Sequence, residues 1–193
     1  MSNLQLIVQN LKKEQLQFEI LWIGQGELFY KGITSTIIEP FWQFLLLNDG
    51  SLTKQLQILT NKKVKVQLLE DSPLPIGSSL KSYLADYIKK PVIERKIFLY
   101  SNNIQPLVYA TSWWSENIID SLFLNKNEPI WSNLTQLKIE FYRDLKRILL
   151  INSKDLEQKF NKKGPFWCRY YVIWYKNIPL TLIFEIFSPN IKV

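Results

Sequence analysis

The chain has 193 residues, of which 47% are apolar and 14% aromatic, seven of them Trp. Such a chain buries enough surface to fold as a single domain over 1–193 without covalent or metal support, which excludes a disordered segment. A formal charge of +7, one cysteine (Cys168) and no histidine exclude a disulfide framework, a His-based triad or general base, and a His-ligated metal.

Residues Gln17 to Lys31 hold two short aromatic-rich runs around Gly24-Gln25-Gly26, a pattern that predicts a hairpin. Pro40 suits the first turn of a helix reaching about Leu47. Asp49-Gly50 breaks that helix, and Ser51 can cap a second, Leu52 to Leu59. Val64, Val66 and Leu68 alternate as in a strand with one buried face, which Pro73 and Pro75 interrupt. Ser79 to Lys89 has helical spacing, with Leu80, Tyr83, Leu84 and Tyr87 on one side and Pro91 as the stop. Val92 to Tyr100 and Pro106 to Trp114 read as strands joined by a turn at Asn102-Asn103. Pro129 to Leu134 reads as a short helix. Lys138 to Leu150 allows strand or helix, with strand favoured at its start. Trp167 to Tyr175 and Ile178 to Phe187, joined at Lys176-Asn177, form a long terminal hairpin. There is no regular βαβ alternation, so the expected class is α+β: an antiparallel sheet of about six strands with helices on one face.

The 24 basic residues are scattered, and Lys12-Lys13, Lys62-Lys63, Lys89-Lys90 and Lys162-Lys163 are only doublets. A nucleic-acid surface needs them gathered in one patch, so no nucleic-acid partner is expected. A positive field also suits a small anionic ligand, and a plainly solvated surface explains the same balance. The first 14 residues lack the basic and apolar regions of a secretory signal. No run reaches the roughly 18 apolar residues of a membrane span. Asn133-Leu134-Thr135 matches a glycosylation sequon, read as chance in the absence of such a signal. Richness in Ile, Leu, Lys and Asn resembles the products of AT-rich genomes, plastid genomes among them.

Three charged residues sit where strands should be apolar. Glu185 is the only charge between Ile178 and Pro189, and alternation sets it beside Thr181, Ile183 and Phe187. Either it faces solvent, or it sits in a polar cavity, because an unpaired buried carboxylate costs several kcal/mol. Arg95 shares a face with Ile97 and Leu99, and Arg169 with Tyr171, Ile173 and Tyr175. A guanidinium fork suits a carboxylate, either a surface acid or a ligand. Trp113-Trp114 fits a core as well as a stacking platform. There is no phosphate loop, dinucleotide fingerprint or metal-ligand cluster.

Four stretches then occur in a telling order. They are Asp49-Gly50-Ser51-Leu52-Thr53-Lys54 before the Val64 to Leu69 strand; Glu94-Arg95-Lys96-Ile97-Phe98-Leu99 with its return Pro106 to Thr111; Glu128-Pro129-Ile130; and Arg169 through Asn177-Ile178-Pro179-Leu180 to Phe184-Glu185-Ile186-Phe187-Ser188-Pro189. Together, over Trp42 to Pro189, they resemble the chorismate lyase family, in its divergent cyanobacterial and plastid-encoded branch. Residues 1–41 have no clear counterpart in that pattern. Thr111 stands where the family carries an Arg, and Leu52 where it carries Met.

The resemblance implies a chorismate lyase-like sheet enclosing a ligand. It implies a cofactor-free, metal-free lyase that converts chorismate to 4-hydroxybenzoate and pyruvate for quinone synthesis, in a plastid stroma or bacterial cytoplasm. By the same resemblance Arg95 holds a substrate carboxylate, Glu185 is the acid/base, Arg169 assists in binding, Leu52 walls the pocket and Ile130 offers a backbone N–H. Two other classes stay open: a non-catalytic binder of small aromatic acids on the same fold, and a nucleic-acid-binding or assembly factor.

Overall fold

Period-two alternation of apolar residues sets the architecture of the computed structural model, which describes residues 16–31, 36–75, 78, 84–85, 87–101, 105–122, 128–136, 138 and 140–191. The strands are β1 (Glu19–Gln25), β2 (Val64–Pro73), β3 (Val92–Ser101), β4 (Gln105–Ser115), β5 (Tyr142–Asn152), β6 (Phe166–Tyr175) and β7 (Ile178–Phe187). They form one antiparallel sheet in the order β1-β5-β6-β7-β4-β3-β2. The helices are α1 (Gly26–Tyr30), α2 (Pro40–Leu46), α3 (Leu52–Thr60), α4 (Glu116–Leu122), α5 (Ile130–Gln136) and α6 (Lys154–Phe160).

Local chemistry accounts for the boundaries. Pro40 opens α2, where its missing N–H has no intrahelical acceptor to lose. The Ser51 hydroxyl accepts the Lys54 N–H at the start of α3, and Asn61, at φ 49°, ends it in the left-handed region. Lys176 and Asn177 have φ of 47° and 62°. Two successive left-handed residues make the tight turn whose twist matches a β-hairpin, so the terminal hairpin forms as expected.

Both faces of the sheet are covered. On one, Ile97, Leu99, Val108, Ile183 and Phe187 pack against Leu45 and Leu46 of α2, Leu52 and Leu56 of α3 and Leu134 of α5. On the other, Phe98, Tyr109, Trp113, Phe184 and Ile186 pack against Leu156 and Phe160 of α6. Each such side chain, taken out of water, contributes about 1.5–3 kcal/mol.

Two expectations are corrected. The segment Gln17 to Lys31 is not a hairpin: its first run, β1, pairs with β5, and its second forms α1. The chain crosses β5 so closely at Gly26 that a Cβ there would lie 1.8 Å from the Leu145 carbonyl oxygen, and it leaves the sheet edge instead of returning along it. Among the described residues the antiparallel sheet has seven strands, in keeping with the expected count of about six. Helices lie on both faces, because Ser153 caps α6 and its Leu156 and Phe160, four residues apart, present one apolar side to the sheet. Neither α4 nor α6 was anticipated. Strand is the outcome for the ambiguous stretch that became β5. Most of the expected helix Ser79 to Lys89, and the Asn102-Asn103 turn, lie outside the described residues.

Candidate functional site: a cavity on the charged face of the sheet

Strand alternation sends Arg95, Arg143, Arg169, Tyr171 and Glu185 to the same face as Ile97, Ile173 and Ile183. Arg95 pairs with Ser112, Ser112 with Ile183 and Ile183 with Tyr171, one row running across four strands. Glu185 lies two residues along β7 from that row, two strands away from Arg95. Interstrand spacing and rise then separate the two Cα atoms by ~10 Å across and ~7 Å along the sheet.

Above this floor is a cavity whose empty space, open solvent at its mouth included, comes to about 620 Å³. Leu52 and Thr53 of α3 form one wall, and Pro129, Ile130 and Trp131 at the start of α5 form another. Arg95 and Glu185 both line it. As the first residue of α5, Ile130 has an N–H with no acceptor inside its own helix.

Glu185 is buried at 6% exposure, with each carboxylate oxygen engaged. Arg169 Nε donates to Oε2 at 2.6 Å and the Tyr171 hydroxyl donates to Oε1 at 2.8 Å. Burial pushes the Tyr171 hydroxyl well up from its usual range, so it stays protonated and able to donate at neutral pH.

Arg169 is placed differently from the expectation. It is fully buried and is not among the residues lining the cavity. Its Nη1 donates to the carbonyls of Leu45, Leu46 and Asn48 at 2.9, 3.0 and 2.9 Å. These lie at the end of α2, which has no basic residue in its last turn. Orphan carbonyls and the negative end of the helix dipole attract a cation, and β6 supplies one from below. Arg169 thus stands behind Glu185 and fixes it. The guanidinium also lies 5.3 Å from the Tyr171 ring centroid and 5.5 Å from that of Phe187.

Arg95 is 1% exposed. Burial pushes it down to about 10, opposed by the charge of Asp71, its neighbour across the β2–β3 pair. It therefore remains a cation at neutral pH. Buried ions of this kind cost several kcal/mol each unless compensated; they cluster at binding and catalytic sites and occur in structural ion networks as well.

The residue that sequence reasoning missed is Arg143 of β5, which also lines the cavity. Its Nη1 donates to the Asn48 carbonyl at 2.6 Å and its Nη2 to the Gly50 carbonyl at 3.2 Å. Its guanidinium lies 4.3 Å from the centroid of the Tyr171 ring. The available signal was the alternation Phe141, Arg143, Leu145, which is lost where a bulge between Leu145 and Arg147 shifts the register.

A family model described as Chorismate pyruvate-lyase Rv2949c-like matches residues 46–193. The ycf21 protein of Cyanophora paradoxa is 70% identical over 193 residues, all of both chains. That of Porphyra purpurea is 37% identical over 155 residues, 80% of this chain and 84% of its own. Among solved structures, PhnF from Mycobacterium smegmatis aligns with a TM-score of 0.57 at 12% identity, over 76% of this chain and 67% of that one. The effector domain of the same protein aligns at 0.56 and 11% identity, over 73% and 90%. At such identities the likeness is one of fold. Taken together, the family match and the algal ycf21 relatives show that the chain belongs to the Rv2949c-like chorismate pyruvate-lyase family, in its plastid-encoded branch.

Proposed function

We propose that this protein is a chorismate lyase that releases pyruvate from chorismate and leaves 4-hydroxybenzoate, with no cofactor. The observation that carries this reading is that a carboxylate, Glu185, and a cation, Arg95, open from separate strands into one small-molecule cavity. Chorismate is a dianion whose ring becomes aromatic as its enolpyruvyl ether leaves, so much of the driving force lies in the substrate. The protein has to orient it, balance its charge and move one proton.

Arg95 takes the ring carboxylate in its fork, Leu52 walls the ring and the Ile130 N–H contacts a ring substituent. Glu185 accepts the proton from the ring carbon that bears the hydroxyl. The ether C–O bond breaks, its electron pair leaves with the oxygen as the enolate of pyruvate, and the C–H electrons complete the aromatic ring. Glu185 returns the proton to the enol methylene, which gives pyruvate. Arg169 and Tyr171 act as positioning residues that hold the carboxylate in place through this exchange. The reading implies work in a plastid stroma, supplying 4-hydroxybenzoate for quinone synthesis. No helix among the described residues is long and apolar enough to cross a membrane.

The test is to incubate purified protein with chorismate and follow both products by chromatography. Equimolar 4-hydroxybenzoate and pyruvate, formed well above the protein-free rate, support the lyase; formation at the protein-free rate sinks it. A second reading, a binder of aromatic acids without turnover, is favoured by the fold shared with an effector domain. Calorimetric binding of 4-hydroxybenzoate by a protein that leaves chorismate intact would select it.

A further inference from the structure

We propose that Arg143 is a second anion subsite of the cavity, receiving the carboxylate on the enolpyruvyl arm while Arg95 receives the one on the ring; this deepens the lyase reading and rests on it. Arg95 comes from β3 and Arg143 from β5, with β4, β7 and β6 between them. Four interstrand steps put ~19 Å between their Cα atoms. Two long side chains reaching inward from opposite ends shorten that span toward the length of a ring with a three-carbon arm. Glu185 lies between the two ends, where the reacting bond of such a ligand would be.

The charge pattern points the same way. Glu185, the acid lining the cavity, is held by Arg169 directly behind it. Arg95 and Arg143 then face the cavity from its two ends, and Asp71 offsets the Arg95 end from the neighbouring strand. A pocket so charged suits two separated carboxylates better than one. Orientation is built in as well. The carbonyls of Asn48 and Gly50 fix the guanidinium plane, and the Tyr171 ring supports it from one side. That ring carries the hydroxyl bonded to Glu185, so an anion on Arg143 lies next to the acid/base. This is where the enolpyruvyl arm must be for its methylene to receive a proton.

Arg143 also fastens the Asn48–Gly50 loop, so the test must separate anion binding from loop anchoring. The probes are 3-(1-carboxyvinyloxy)benzoate, already aromatic and bearing both carboxylates, and 3-ethoxybenzoate, which has the ring carboxylate alone. Each is titrated calorimetrically into the full-length wild type, Arg143→Met and Arg143→Lys. In the wild type the dicarboxylate binds more tightly than the monocarboxylate. In Arg143→Met it weakens by about 10–100-fold while the monocarboxylate changes by less than about 3-fold. Arg143→Lys, keeping the charge without the fork, falls between.

Equal weakening of both probes would make Arg143 a loop anchor and overturn the subsite. A wild type with no preference for the dicarboxylate would overturn it even if no variant folds. The two proposals fail separately. Arg143-dependent selectivity in a protein that leaves chorismate intact removes the lyase and keeps the subsite. Turnover without that selectivity does the reverse.

Discussion

On one face of the sheet Phe98, Tyr109, Phe160 and Phe166 meet at ring-centroid separations of 5.3–5.9 Å, and the buried Cys168 sits among them. The acid on that side, Glu94, accepts from Trp113 Nε1 and pairs with Lys96, which reaches half-exposed Glu70 at the rim. On the opposite face Arg95 and Arg169 are as buried as those rings, and Glu185 nearly so. The first face is mostly apolar packing with one buried acid paired near the rim. The second holds a fully buried ion pair, which is costly to break from one side although replacing both partners together by apolar residues is often neutral. The same strands, read on odd and on even positions, thus build a core and a site. Arg169 on the second face is held by the carbonyls at the end of α2, whereas Arg95 and Glu185 line the cavity.

Substitutions on the two faces test that division. The largest effect is expected from Glu185→Gln, which keeps the shape and removes the proton acceptor: turnover of chorismate per folded molecule falls by about 10²–10⁴-fold, and the thermal midpoint falls too because buried Arg169 loses its counter-ion, in steady-state assays beside a melting curve. Wild-type rates would leave the charged face without its proposed chemistry. Next is Arg169→Met. It strips one partner from Glu185 and leaves the carbonyls at the end of α2 without their donor, and denaturant unfolding should show a loss of about 3–5 kcal/mol. A loss near zero would mean that the ion pair contributes nothing the apolar face could not. On the other side Phe160→Ala should cost about 3–5 kcal/mol while turnover per folded molecule stays unchanged. A large fall in rate there would erase the distinction between the faces. The smallest effect belongs to Ser153→Ala, which removes the hydroxyl that accepts the Leu156 N–H: about 1 kcal/mol, with no effect on rate.

What could be read without coordinates followed from how regular each strand is. β7 is an apolar run interrupted by one charge, so Glu185 stood out, as did Arg95 beside Ile97 and Leu99, although spacing left open whether either met solvent or a cavity. Arg143 was passed over because the stretch from Lys138 to Leu150 fits strand or helix, so no face could be given to it, though it is as much a part of the cavity as Arg95. Arg169 was recognisable as an isolated cation, but its partners are carbonyls more than 120 residues earlier in the chain. Backbone groups carry no identity in a sequence, so spacing does not reveal such contacts. α6 did leave a trace: Ser153 followed by Asp155 and Glu157 is an N-terminal signal, overlooked beside the stronger strand patterns around it.

The β1–β5 ladder has a practical consequence for anyone shortening the chain. The family match starts at residue 46, so trimming to that boundary discards β1 and strips the Glu19–Asn152 to Gln25–Arg147 pairing from β5. The amides and carbonyls uncovered would run from Arg147 to Asn152 on the strand that carries Arg143, a template onto which another molecule can zip. A trimmed protein that clumps would say nothing about whether its pocket works.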